Sequence, residues 1–439
     1  MYCQLEVLRH CFPSSVHRTL EELPESLDGT YERILREIRK PNIGHAHRLL
    51  QCLVAAVRPL EVKELAEVLA FDFNAKGIPK LNLDWRWDDQ EEAVMSACSN
   101  LVMIVKDGDS RVVQFSHFSV KEFLTADRLA EPIRDVSRCH IRLEAAHTIL
   151  VQACLGVLLQ LDDRVDRDSM KSFPLARYAA QHWPTHARIE SVSSRIEDGM
   201  ECLFDADKPH FATWLWIYNE EGGSRRGRRG RGGPTSMSTM RPEKPEAVPL
   251  YYAAMLGFRN LAERLIAKHP EHVNTRGGFE ETPLHVAASA GHPDILLLLI
   301  EHGADMKGQG RAGGTSLHRA SWNARLEAGQ FLLNRGADID AQDNSKDTAL
   351  IYASFYGYAE FARMLLERGA MIDVQGNLGK TALHCAANAG KTEVVRLLLE
   401  GGADAHVRDE DGKTPSELGS QQGHHEIVEL LSECSSVKE

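Results

Sequence analysis

The stretch Thr282-Pro283-Leu284-His285-Val286-Ala287-Ala288-Ser289-Ala290-Gly291-His292-Pro293-Asp294-Ile295-Leu296-Leu297-Leu298-Leu299-Ile300-Glu301-His302-Gly303-Ala304-Asp305 decides the fold of the C-terminal half. Thr282 is a good N-cap, and Pro283 stands at the first helical position, where its missing N–H costs nothing. Ala287 and Ala288 are small enough to let neighbouring helices approach. Gly291 suits the left-handed residue that ends a helix, Ile295 to Ile300 give a second helix its apolar face, and Gly303 ends that one. The pattern returns every 33 residues, in Thr315-Ser316-Leu317-His318, Thr348-Ala349-Leu350-Ile351 and Thr381-Ala382-Leu383-His384. Gly336-Ala337-Asp338, Gly369-Ala370-Met371 and Gly402-Ala403-Asp404 keep the same register. Pro249-Leu250-Tyr251 is an earlier copy, and Thr414-Pro415-Ser416 a later one.

Period and motif together resemble the ankyrin repeat, with six copies over 247–434. Such units cannot bury a core alone and are stable only as a stack. The last copy reads as a polar cap, with Ser416 at the buried Leu position. Ala324 replaces the glycine found at Gly257, Gly291, Gly357, Gly390 and Gly423. A left-handed Ala there costs about 1 kcal/mol or more. Repeat four puts Ile351 at the histidine position and Lys346 at the loop glycine position. His285, His318 and His384 occur one per repeat without a convergent ligand shell, so they are expected to be structural hydrogen-bonders, not metal ligands. Gly379-Lys380-Thr381 and Gly412-Lys413-Thr414 imitate a phosphate loop. The glycine that motif needs five residues earlier is Val374 in one case and Val407 in the other.

The inner face of such a stack is made of loop tips and the free side of the first helices. In repeats three and four those helix positions hold Arg319, Trp322 and Asn323, then Tyr352, Phe355 and Tyr356. Exposed aromatics beside an arginine are the usual make-up of an interface hot spot. These six residues are the expected contacts for a protein partner.

The N-terminal half is a different module. Leu49, Leu50, Leu53 and Val54 lie at helical spacing, Arg58-Pro59-Leu60 breaks the helix, and Glu61 to Leu69 starts another. Leu101 to Val105 and Arg111 to Phe115 flank Asp107-Gly108, a hairpin signal. Helices, then a hairpin, then a helix is a winged-helix order. The helix expected to meet DNA carries Glu61, Glu64 and Glu67 against Lys63 alone, and the wing tip carries Asp107 and Asp109. A surface that meets phosphates is basic, so DNA binding by this module is not expected.

Leu23-Pro24-Glu25-Ser26-Leu27-Asp28-Gly29-Thr30-Tyr31-Glu32-Arg33-Ile34-Leu35, Arg58-Pro59-Leu60-Glu61-Val62-Lys63-Glu64-Leu65-Ala66 and Phe115-Ser116-His117-Phe118-Ser119-Val120-Lys121-Glu122-Phe123-Leu124 resemble one family. It is the winged-helix region that follows the NACHT module in fungal NLR-like (STAND) signalling ATPases, catalogued with the winged helix of GPI inositol-deacylases. The segments 174–183 and 203–218 look like the helical region that follows it. The expected organisation is a remnant of an upstream module (1–14), a winged helix (15–128), a helical region (129–221), a disordered Arg/Gly-rich linker (222–246) and the repeats. The fold class is thus mainly α. The resemblance implies that repeats sense a ligand, the winged helix relays the change, and an upstream NACHT module, if the full-length protein has one, assembles an oligomer.

No run here satisfies G-x-x-x-x-G-K-[ST], so ATP hydrolysis is not expected of this chain, which reads as a fragment or a natural remnant. No G-x-S-x-G elbow occurs either, so the deacylase label carries no lipase chemistry. His117 with its neighbouring serines makes no triad and is expected to be a buried structural histidine. Cys98, Cys154, Trp183, Trp214 and Trp216 read as core. No catalytic residue, cofactor or metal is expected.

The net charge is −12, and the parts flanking the linker are both acidic. Arg225, Arg226, Arg228, Arg229 and Arg231 are the one basic run, a candidate contact for nucleic acid or an import receptor. Nucleic-acid binding is not expected outside it. The nine cysteines form no CxxC pair and read as reduced thiols. No apolar run reaches membrane-span length, so no membrane partner is expected. The expected location is cytoplasmic, with nuclear import left open by the arginines.

Overall fold

The computed structural model describes residues 26–75, 77–131, 136–226, 245 and 247–436. It divides into two compact units, Met1–Lys244 and Pro245–Glu439, with the boundary inside the expected linker. The expected remnant 1–14, the first residues of the winged helix and Arg228, Arg229 and Arg231 lie outside the described residues.

The first unit opens with α1 (Leu27–Glu37), capped by Ser26, whose Oγ accepts the Gly29 N–H at 3.1 Å. Tyr31, Ile34 and Leu35 recur at helical spacing and are buried. α2 (Ile43–Ala55) leads to β1 (Leu60–Glu61), α3 (Val62–Glu67), and a small hairpin of β2 (Phe71–Asp72) and β3 (Lys80–Leu81). Then come α4 (Gln90–Cys98), β4 (Val102–Asp107), β5 (Ser110–Phe115) and α5 (Phe118–Thr125). The sheet runs β1-β5-β4, antiparallel, with Leu60 opposite Val113 and Val113 opposite Ile104. Gly108 takes φ +59° in the turn that joins β4 to β5. This is the expected winged helix, with α3 and α4 as its helix-turn-helix pair.

Two expectations about its charges change. The second helix of the pair is α4, not the one that starts at Glu61. Glu64 and Glu67 are also not on a solvent face; both are only 3% exposed. The Glu64 carboxylate takes two contacts from Arg58, at 2.7 and 2.8 Å, and the Glu61 N–H at 2.8 Å. Glu67 pairs with Arg86 and accepts the Leu175 N–H at 2.7 Å. Burial still pushes the Glu67 carboxyl up, against the pull of those partners. A buried carboxylate needs its donors supplied by the protein, and one of them, the Leu175 N–H on Glu67, ties the winged helix to the helical region.

That region consists of α6 (Leu143–Leu158), α7 (Ala176–Ala187), α8 (Glu190–Leu203) and α9 (Pro209–Arg226). The α9 backbone continues through Arg226, four residues past the expected start of the linker, so Arg225 and Arg226 end a helix. Trp183 and Trp214 meet edge to face at 5.8 Å, beside Phe204 and Phe211. The Trp214 indole N–H donates to Ala180 O at 3.0 Å. These tryptophans, Cys98 and Cys154 are buried as expected, and Trp216 is 9% exposed. His117 is structural but not buried. It stands exposed as the N-cap of α5, its Nδ1 accepting the Ser119 N–H at 3.3 Å.

The second unit is six helix pairs, from α10 (Pro249–Leu256) and α11 (Arg259–Lys268) to α20 (Pro415–Gln421) and α21 (His425–Ser436). The pairs between are α12 (Pro283–Ala290) and α13 (Pro293–Glu301), α14 (Ser316–Trp322) and α15 (Leu326–Asn334), α16 (Ala349–Tyr356) and α17 (Ala359–Glu367), α18 (Ala382–Asn388) and α19 (Thr392–Glu400). The repeat histidines tie neighbours together. Thr282 Oγ1 lies 2.8 Å from His285 Nδ1, and His285 Nε2 donates to Gly314 O of the next repeat at 3.2 Å. His318 makes the same link to Asp347 O at 3.0 Å, and His384 to Lys413 O at 3.1 Å. Ala324 is left-handed at φ 53°, and Lys346 at 63°.

Candidate functional site

The aromatic residues of repeats three and four stand on the first helices because each helix buries its Leu and Ala face against its neighbours. That leaves positions near the C-terminal end of α14 and α16 outside the core. Trp322 is 41% and Phe355 45% exposed. Trp322 lies 5.1 Å from Tyr352 and 5.2 Å from Tyr356, ring centre to ring centre. Phe355 meets Tyr356 edge to face at 5.1 Å. All four expected aromatics therefore form one continuous patch across two repeats.

A groove of about 530 Å³ opens beside them, lined by Phe279, Arg311, Arg319, Trp322, Asn323 and Tyr352 among others. Its polar members are already engaged. Arg319 is not a free cation: its Nε lies 2.6 Å from Glu281 Oε1, although the Nε–H is not aligned for a hydrogen bond, and its Nη2 donates to Arg311 O at 2.7 Å. Burial pushes the Glu281 carboxyl up, and Arg319 and Arg311 oppose that shift. Asn323 donates to Ser289 Oγ and Arg319 O, both at 3.0 Å. Tyr352 donates its hydroxyl to Asp343 Oδ2 at 2.6 Å, and burial with that carboxylate raises its pKa. The Asp343 bond holds the Tyr352 ring in place, and the others tie Arg319 and Asn323 to the neighbouring repeat and loop. Arg319, Asn323 and Tyr352 are thus scaffolding for the patch, while Trp322 and Phe355 offer the open apolar surface.

Reading the helix positions alone missed the loop tips. Phe279, 67% exposed, carries the Arg311 guanidinium over its ring at 4.7 Å. Phe279, Ala312 and Leu378 occupy the same place in three repeats and are left-handed at φ 59°, 55° and 57°. Non-glycine residues in that conformation are strained, and strain of this kind gathers at binding loops. The available signal was that bulky Phe279 and Leu378 sit at turn positions where small or polar residues are the norm.

The winged helix has two features of its own. Trp85 and Trp87 are each about half exposed and flank a groove of about 600 Å³ with His45 and Arg48. Arg86 between them turns inward to Glu67, which sends both indoles outward. On another side, α3, the start of α4 and the wing tip enclose an acidic groove. It is lined by Glu61, Asp88, Asp89, Glu91 and Asp109, with Lys63 and Arg111. Lys63 pairs with Glu61 at 2.9 Å, and Arg111 pairs with Glu91. The acidic character expected of this face therefore holds, though partly through other residues.

Comparison with known proteins places two modules on this geometry. Residues 31–133 match the family described as GPI inositol-deacylase, winged helix domain. Residues 250–343 and 371–438 match ankyrin repeats (3 copies), and 323–366 match ankyrin repeats (many copies). Azaphilone pigments biosynthesis cluster protein L of Monascus ruber is 33% identical over 302 residues, covering 65% of this chain and 61% of that protein. Alpha-latrocrustotoxin-Lt1a of Latrodectus tredecimguttatus is 44% identical over 62 residues, covering 14% of this chain and 4% of the toxin. Ankyrin repeat domain-containing protein 49 of Bos taurus is 34% identical over 92 residues, covering 21% of this chain and 38% of that protein. The chain thus spans less than two thirds of the length of each of these relatives.

Proposed function

We propose that this chain, a GPI inositol-deacylase-type winged helix followed by ankyrin repeats, works through the repeats as a protein-recognition surface. The carrying observation is the patch of Trp322, Tyr352, Phe355 and Tyr356, half open to solvent beside a groove that Phe279 closes at the loop tip. Rigid aromatics lose little entropy on binding and are the residues that dominate interface energies. Its use is as the ligand-sensing part of an NLR-like signalling protein, located in the cytoplasm and without catalysis of its own. The architecture supports this, because Glu67 and Leu175 fasten the winged helix to the helical region, as a module that passes on a change requires.

The test is affinity capture from native lysate, with and without nuclease. The wild type is compared with Trp322→Ala/Phe355→Ala, whose helicity is checked first. A nuclease-resistant protein partner, held at least tenfold more weakly by the variant, is the expected result. Capture that survives the variant and disappears with nuclease would move the function to the arginine run.

A further inference from the structure

Repeat one departs from the others at the end of its second helix. Gly303, Gly336, Gly369 and Gly402 end that helix in the later repeats with φ between 85° and 90°. The corresponding stretch in repeat one is His269-Pro270-Glu271-His272-Val273-Asn274, with one residue more. Here α11 stops at Lys268 and the chain turns through a 3₁₀ helix, Pro270–Asn274. The needs of the stack account for Val273, which is buried, and not for the three polar side chains before it.

Those side chains converge. His269 Nδ1 lies 3.2 Å from Glu271 Oε1, and His272 Nε2 lies 3.8 Å from the same oxygen. The two imidazoles are nearly parallel, 21° apart, with centres 4.8 Å from one another. One donor atom from each of the three residues falls within 4.8 Å of the others, a grouping of ligand atoms found at this one place among the described residues. Donors around a tetrahedral ion at roughly 2.1 Å stand about 3.4 Å apart, close to both imidazole–carboxylate separations, and rotation of the stacked imidazoles would bring their nitrogens onto the same ion.

We propose that His269, Glu271 and His272 form a binding site for a divalent transition-metal ion of the zinc type. Two imidazoles with one carboxylate suit zinc and its neighbours, whereas magnesium and calcium ask for oxygen donors. The backbone is already held for the task. His269 N–H donates to Leu265 O at 2.9 Å and His272 N–H to His269 O at 3.0 Å. Asn274 then anchors the turn to repeat two, donating to Gly303 O and accepting the Asp305 N–H, both at 2.9 Å. Three protein ligands on an accessible turn leave a fourth position for water. The bound ion would clip the end of α11 to the turn that contacts repeat two.

The test uses the full chain, stripped of metal with a chelator. Co2+ serves as the spectroscopic probe and Zn2+ is measured by competition with a chromophoric chelator. The wild type is expected to bind one more equivalent of either ion than His269→Ala/His272→Ala, with a visible Co2+ band absent from the double variant. Zn2+ is expected to raise the thermal midpoint of the wild type alone. Glu271→Gln keeps both imidazoles and should bind at least tenfold more weakly. Circular dichroism confirms that the variants remain folded. Equal stoichiometry and affinity in wild type and double variant would overturn the site. Unchanged affinity in Glu271→Gln would overturn the three-ligand assignment.

Discussion

Ala324 of repeat three and Gly390 of repeat five hold the same place in their repeats and show what a single backbone conformation is worth. Gly390 has φ 70°, and a Cβ there would stand 2.6 Å from the His424 ring. Gly390→Ala therefore meets both left-handed strain and a clash, and should destabilise the repeat unit by about 1 kcal/mol or more. Ala324 bears the strain already, at φ 53°. Ala324→Gly should therefore stabilise, by up to about 1 kcal/mol. Urea unfolding of both variants, followed by circular dichroism, gives the two shifts, and they should have opposite sign. The departure of Ala324 was visible in the sequence because the repeat supplied its own reference. The engagement of Arg319 was not, because Glu281 is 38 residues away and only folding brings it within 2.6 Å.

At the scale of the helix, the repeat histidines couple folding to pH. Burial is the main cause that lowers His285, His318 and His384, and His285 is pushed down to about 4. Each is neutral in the fold, accepting on Nδ1 and donating from Nε2. Because the folded pKa lies below the ordinary value near 6.5, the stabilisation is fully present above about pH 6.5. It should be lost as pH falls from there, for His285 towards about 4. His318→Ala removes one inter-repeat link and leaves the Asp347 carbonyl with the Asp343 N–H as its remaining donor, at a cost of about 0.5–1.5 kcal/mol. The variant's thermal midpoint, measured at pH 7.5 and again at pH 5, should differ less between the two pH values than the wild type's. In the first unit, burial pushes His186 down to about 3, with His147 and His182 adding to the shift. It meets His147 at 2.9 Å and the Tyr178 hydroxyl at 3.0 Å, a junction that should loosen as pH falls from about 6.5 towards about 3.

Across the whole molecule, the repeats are a unit whose stability is shared by neighbours. The last pair, α20 and α21, covers apolar residues of repeat five such as Val394, Val395 and Leu398, which are at most 1% exposed. Deleting residues 415–439 should uncover that face, lower the cooperativity of unfolding and promote association, readable by light scattering. Residues 245–439 alone should fold with the helicity of six pairs, because the division between units falls at Lys244.

The sequence alone determined the repeat architecture and its structural histidines. Those features depend on local rules, an N-cap, a proline, a left-handed glycine, copied at a period long enough to be unmistakable. It also determined the winged-helix order, since helix spacing and the Asp-Gly turn are local too. Only the tertiary structure decided which charges are surface and which are ties. Glu64 and Glu67 share the spacing of a solvent-facing stripe, yet Arg58, Arg86 and the Leu175 amide enclose them. It likewise decided that Trp322 and Phe355 are the open members of a six-residue candidate set, and that three residues of an irregular turn converge. Exposure and convergence depend on partners distant in sequence or on the exact path of a turn, and neither has a period that a sequence can display.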